Sequence, residues 1–180
     1  MSTLAVDKAT NVAGTQYYNL MLLGTSKSAT GTSVNFAGIP SGVKRITVMF
    51  DGVRTSSTSL KLLQLGDSGG IETTGYTSGA SNDANSGSSY STSTSGFVLS
   101  VAYNSTAAET MFGAIVLTNV ASNTWVAQGA FHMPTYTVGN FVAGGTALSG
   151  ELDRLRITTV NGTDTFDAGT INLLYEGYAV

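Results

Sequence analysis

Residues 43–52, VKRITVMFDG, set apolar against polar side chains with a period of two and then stop at Asp-Gly. In an extended chain Ile46, Val48 and Phe50 fall on one face, and Arg45, Thr47 and Met49 on the other. A helix cannot use that spacing, because its apolar stripe recurs every three to four residues. Ile39-Pro40-Ser41-Gly42 ahead of the segment is a turn, and Asp51-Gly52 behind it is a turn or bulge signal. The rhythm then returns along the chain. Residues 59–66 and 96–103 are strand candidates, and 111–120 and 124–131 read as the arms of a hairpin across Ala121-Ser122-Asn123. In 151–160, Leu155, Ile157 and Thr159 share a face, and Asn161-Gly162 follows as a hairpin signal. Residues 171–177 form a closing strand.

Short strands separated by Gly-rich turns, without a helical pattern, predict an all-β fold. The expected architecture is a β-sandwich or jelly roll of about eight antiparallel strands over residues 36–180, preceded by an N-terminal arm or attachment segment, 1–35. Within the arm, YYNLMLL (17–23) is apolar without clean alternation and fits an arm strand or a short helix. The Ser-, Gly-, Thr- and Asn-rich stretch between 66 and 96 reads as a long surface loop. No repeat of fixed period marks a solenoid or propeller.

Composition agrees and excludes several classes. Apolar residues make up 42% of the 180, enough for a packed core. Charged residues are only 11%, against about 25% in an average domain. Neutral polar residues take their place, and these suit strand faces and turns. The net charge is −3 with eight Lys plus Arg thinly spread, so no basic stripe for nucleic acid is present. No apolar run approaches the ~20 residues of a membrane-spanning helix, so no membrane insertion is expected. MSTLAVDKATNVAG lacks the charged and apolar regions of a signal peptide, and the sequons at Asn104 and Asn161 therefore carry no weight. With no cysteine, disulfides and thiolate metal sites are impossible. Few surface charges also leave a domain open to association.

GDSGG (66–70) spells the nucleophile motif of trypsin-like serine proteases. A serine nucleophile needs a histidine base held by a carboxylate. The single histidine, His132, follows Ser68 by sixty-four residues, and no helical elbow follows the serine. The plainer reading is a turn in which Asp67 and Ser68 bond their own backbone. His132 by itself reads as a surface or packing residue at a strand end. GTDTFDAG (162–169) lacks the ligand alternation of a calcium loop. A site built from loop carbonyls with Asp67, Asp83 or Asp153 is the remaining metal option, against the reading that Asp167 pins the turn before Gly169 and Asp164 is solvated. No metal or cofactor is assigned. Glu72, Glu109, Glu151 and Glu176 are the acids from which a glycosidase pair would have to come, and the sequence pairs none of them. Trp125, Tyr76, Tyr90, Tyr103 and Tyr136 are the aromatic candidates for a sugar platform, although aromatics in alternating strands more often serve the core or an interface.

FAGIPSGVKRITVMFDGV (36–53), LGDSGGIETTGY (65–76), NTWVAQG (123–129) and GELDRLRITTVNGTDTFDAGTINLLYEG (150–177) resemble a group of bacteriophage and prophage virion proteins described as tail-fibre or minor structural proteins. MSTLAVDKATNVAGT (1–15) is similar to the N-termini of tail-fibre-like proteins, and the chain departs from that pattern at 16–23. The resemblance implies a non-enzymatic virion component with a β-sandwich head, and it brings no catalytic residues. It implies assembly in the bacterial host cytoplasm and residence in the virion. The implied partners are further copies of the chain in a homotrimer, other tail or capsid proteins, and a host surface glycan. The first expected role is a tail-fibre or tail-tip module that contacts the host surface. The alternative is a capsid decoration (cement) protein, which suits a short chain with no collagen-like or coiled-coil shaft. An enzyme, depolymerase or protease, would need an acid pair or triad that the sequence does not cluster.

Overall fold

The chain is described by a computed structural model over residues 9–10, 16–83, 88–102, 105–107 and 109–179. Strands take 63% of it and no α-helix is present among the described residues. In chain order they are β1 (Ala9–Thr10), β2 (Gln16–Leu23), β3 (Lys27–Ser28), β4 (Val34–Ala37), β5 (Val43–Thr55), β6 (Lys61–Asp67), β7 (Gly70–Ile71) and β8 (Thr77–Asp83). Then follow β9 (Tyr90–Ser93), β10 (Phe97–Val98), β11 (Met111–Ala121), β12 (Thr124–Met133), β13 (Val138–Ala147), β14 (Arg154–Thr159) and β15 (Phe166–Ala179). The larger sheet runs β1-β2-β15-β5-β11-β12-β13-β8-β9, with β3 also on β15. The smaller runs β10-β6-β14-β4, with β7 on β6. All pairings are antiparallel, and the two sheets pack as a sandwich, the expected fold class.

Alternation decides which side chains meet. Ile46, Val48 and Phe50 of β5 and Ile115 and Leu117 of β11 point inward and are buried. Leu63 and Leu65 of β6 and Leu155 and Ile157 of β14 meet them from the smaller sheet, each fully buried. Edge-to-face rings fix the fit: Phe50 on Phe131 at 5.4 Å and Tyr76 on Phe97 at 5.1 Å.

Several local expectations are corrected. Residues 66–96 are not one long loop. β7, β8 and β9 lie within them, and β8 pairs with β13 from Thr77 to Asp83. The strand escaped notice because its inward positions are Ser78, Ala80 and Asn82, all buried but only one of them apolar. Residues 96–103 pair only at Phe97 and Val98. Leu99, Ser100 and Val101 are buried off the ladder. Asn161-Gly162 turns the chain, with Gly162 at φ 67, but it links β14 and β15, which belong to different sheets. It is a crossover between layers and not a hairpin. YYNLMLL resolves as strand β2, paired with β15 from Tyr18 to Leu23. The 111–131 hairpin is present, its turn carrying Ser122 at φ 45.

Asp51-Gly52 is a bulge, not an end, because β5 continues to Thr55. Opposite it β15 shifts register around Ala168. Gly52 (φ 63) and Gly169 (φ 92) stand against each other, and a Cβ at Gly169 would lie 2.6 Å from Val53 Cα. Both backbone conformation and space exclude a side chain there. Gly169→Ala is expected to lower unfolding free energy by about 2–4 kcal/mol. Gly31→Ala, also at positive φ but with no neighbour within 4 Å, should cost only about 1 kcal/mol. Urea unfolding of both variants checks this, and equal losses would show that the glycine crossing confers nothing special.

Candidate functional site

On the outer face of the larger sheet, three neighbouring strands place Phe141 (β13), Ser81 (β8) and Tyr90 (β9) in one register row. The adjacent row is Ala143, Gly79 and Thr92. Large, small and large side chains therefore flank a row without bulk, and the result is a trough of about 520 Å³. Tyr90 is 70% exposed and Phe141 54%. The Tyr90 ring leans over the bare backbone of Gly79, where a Cβ would meet ring carbons at 3.0 Å. Thr77, Thr92 and Thr94 line the trough with hydroxyls, and none of the described residues lining it is charged. Such a surface offers apolar ring faces and neutral hydrogen-bonding groups on rigid strands. It suits a neutral, hydroxyl-rich ligand. Two-carboxylate hydrolysis has no residues to work with at this place.

Of the aromatic candidates, only Tyr90 is brought to such a surface. Tyr76 closes the floor from below and is buried. Its hydroxyl accepts the Leu65 amide at 2.7 Å and donates to the Glu72 carbonyl at 3.2 Å. Trp125 is buried in β12, and Tyr136 is half-buried in the turn after Met133, packed on the core. Tyr103 lies outside the described residues. Phe141 and Gly79 were not singled out by sequence reasoning. The signal was present for Phe141, which stands out of phase with the inward residues Asn140 and Val142.

GDSGG forms the tight β6–β7 turn, with Asp67 opposite Gly70. Gly66 has no room for a side chain because the Gly70 carbonyl occupies it. The Asp67 carboxylate accepts from the Gly69 amide and the Ser149 hydroxyl, both at 2.7 Å. The Ser149 hydroxyl, and then the Gly69 amide, hold its pKa below the usual carboxylate value. His132 is exposed and pairs with Gly139 near the start of β13, whereas Ser149 follows the end of that strand. The run of β13 from Gly139 to Ala147, about 27 Å at ~3.4 Å per residue, separates His132 from the serine turn. Two acids, Asp67 and Glu72, meet at Ser149, whose hydroxyl serves Asp67 while its amide donates to Glu72 at 2.6 Å. The others are dispersed: Glu151 accepts from Ser41 and Gly42, and Glu176 faces Arg45. Asp153 holds Arg154 through two hydrogen bonds. Asp167 pairs with Arg54 at 2.9 Å instead of pinning its own turn, and Asp164 accepts from the Ser59 amide and Asn161 instead of being simply solvated. Among the described residues no three His, Asp or Glu side chains gather as metal ligands.

A second polar cluster is internal. Lys61, at the start of β6, and Glu109, just ahead of β11, are both buried. Three direct ion pairs occur among the described residues, and Lys61 is in none of them. Glu109 Oε1 accepts a long bond from the Thr135 amide at 3.4 Å. Glu109 Oε2 and the Ser100 hydroxyl have no hydrogen-bond partner among the described residues. Burial pushes the Lys61 pKa down to about 8, against the opposing pull of Glu109 and then Asp167.

No family model matches the chain, and no curated protein or solved structure matches it at a significant level.

The Lys61 shift sets a pH dependence. The unfolded side chain releases its proton near 10.5 and the folded one near 8. Between those values the unfolded chain binds more protons, so stability rises with pH. Burial raises the Tyr76 hydroxyl from 10.0 to about 12, which has the opposite effect once the pH passes 10. The urea midpoint is therefore expected to climb from pH 8 to about pH 10 and to fall again toward pH 12. In Lys61→Met that climb should disappear. An unchanged climb would mean that another group carries the proton.

Proposed function

We propose that this chain is a non-enzymatic structural protein of a bacteriophage virion, a homotrimeric tail-fibre or tail-tip module that contacts the host surface. Its contact is the trough between Tyr90 and Phe141, and its ligand is a neutral surface glycan. The observation that carries this reading is the pair of exposed aromatics over a floor of glycine and alanine, lined by hydroxyls and free of charge. Sugar rings stack on aromatic faces, and threonine hydroxyls match their hydroxyl groups. The sequence resemblance to virion proteins over residues 36–177 supports the setting.

One observation favours the alternative of a capsid decoration protein. Met21, Leu22 and Leu23 of β2 are 73%, 46% and 62% exposed at the edge of the larger sheet. An apolar strand in that position suits clamping onto a shell.

The test is binding of the purified chain to host cells and to an array of neutral glycans. Tyr90→Ala and Phe141→Ala should each weaken binding about tenfold, or about 1.4 kcal/mol, with the fold unchanged by circular dichroism. Absence of binding by the wild-type chain would remove the adhesion role. Several hundred copies per virion, counted against the major capsid protein, would then support decoration of the shell.

A further inference from the structure

The two outer faces of the sandwich differ in chemistry. Outside the smaller sheet stand Asn35, Arg154 and Arg156, a polar surface on which Arg154 is paired with Asp153. The larger sheet has the opposite character. Nine large apolar side chains stand exposed among the described residues, and the strand registers put six of them on its outer face. The middle of that face is made of small or neutral side chains. One row reads Leu174, Thr47, Val116, Gln128 and Ala143 across β15, β5, β11, β12 and β13. The next reads Asn172, Met49, Ala114, Ala130 and Phe141. On these two rows there is no charge. Arg45 and Glu176 sit together at one margin, 3.4 Å apart, and so neutralise each other.

We infer that this face, from β2 to β12, is the surface on which copies of this chain pack against one another. The inference rests on the reading that the protein works as an assembly of its own copies, and names the surface that makes it. Five strands about 4.8 Å apart, taken over about seven residues of ~3.4 Å each, offer roughly 570 Å² in plan. Counted on both partners, that clears the roughly 1,000 Å² a specific interface needs. A face of alanine, valine and threonine lets neighbouring copies approach closely around a common symmetry axis. Its uncharged centre selects no oppositely charged partner, and a chain with 11% charged residues has little repulsion to overcome on meeting itself. The trough between Phe141 of β13 and Tyr90 of β9 lies beyond β12 and stays at the rim.

The test is the mass of the full chain in solution by light scattering. Wild type should be an oligomer, and Val116→Arg and Ala130→Arg should each give a monomer with unchanged circular dichroism. Asn35→Arg, on the opposite face, should keep the oligomer. Because the chain has no cysteine, single-cysteine variants give a second measurement that tolerates a poorly folding arginine variant. Thiol labelling of Ala130→Cys should be at least about tenfold slower than of Asn35→Cys, the factor expected when a buried interface excludes the reagent. A monomeric wild type overturns the assembly reading itself. An oligomer that withstands both arginine variants, with Ala130→Cys labelled as fast as Asn35→Cys, overturns the choice of face and leaves assembly standing.

Discussion

Two sheets of unequal size share one apolar layer, and the rest of the molecule follows from that inequality. Leu63, Leu65, Leu155 and Ile157 cover the inner faces of β5 and β11, where every inward side chain is buried. A five-stranded sheet cannot cover a ten-stranded one. Beyond its reach no described residue covers the larger sheet, and Leu22, on the same side as the buried Tyr175, is 46% exposed. Among the described residues no layer covers the outer face of the larger sheet. Sandwiches normally alternate apolar inside with polar outside. Here the outside positions are alanine, valine, threonine and glutamine, so alternation survives in burial but weakens in polarity.

The inner layer also holds a polar region that apolar packing does not explain. Lys61 and Glu109 are buried near one another without direct pairing, and Ser100 turns an unbonded hydroxyl inward. Removing one charge would leave the other without compensation, which is why buried pairs tolerate double replacement better than single. Lys61 keeps a proton affinity low enough to make the stability of this end respond to pH in a range where the surface carboxylates do not titrate.

Much of the fold was legible because strands leave a period-two trace wherever inward positions are apolar. β5, β11, β12, β14 and β15 were all readable in this way. β8 was not, since Ser78 and Asn82 occupy inward positions and their burial depends on neighbours that no local pattern reveals. Asn161-Gly162 shows the same limit. The turn chemistry is correct, yet whether the next strand pairs back or crosses to the other sheet depends on sheet order. The candidate site was half legible. Tyr90 was singled out by type, but its partner Phe141 comes from fifty-one residues further on and is joined to it only through β8. Tyr76 and Trp125 had the same aromatic signal and proved to be core, because residue type says nothing about which face a strand presents.

The trough and the broad outer face meet at Phe141, and their arrangement bears on how strongly a trough of this kind can hold a ligand. A single shallow site with two aromatic contacts binds weakly, since each such contact contributes about 0.5–1.5 kcal/mol beyond its area. If copies pack through the β2–β12 face, each keeps its trough, from β13 to β9, at the rim, and several troughs face outward from one rigid body. Linked weak sites gain by effective concentration, commonly 10²–10⁴-fold in avidity, without any added contact. Rigid strands suit this better than mobile loops because the spacing between sites is fixed before binding and no ordering cost is added. Self-packing and surface recognition would then depend on one another physically. The same neutral, small-residue sheet that lets Tyr90 settle over Gly79 would also let neighbouring copies approach closely enough to present their troughs together.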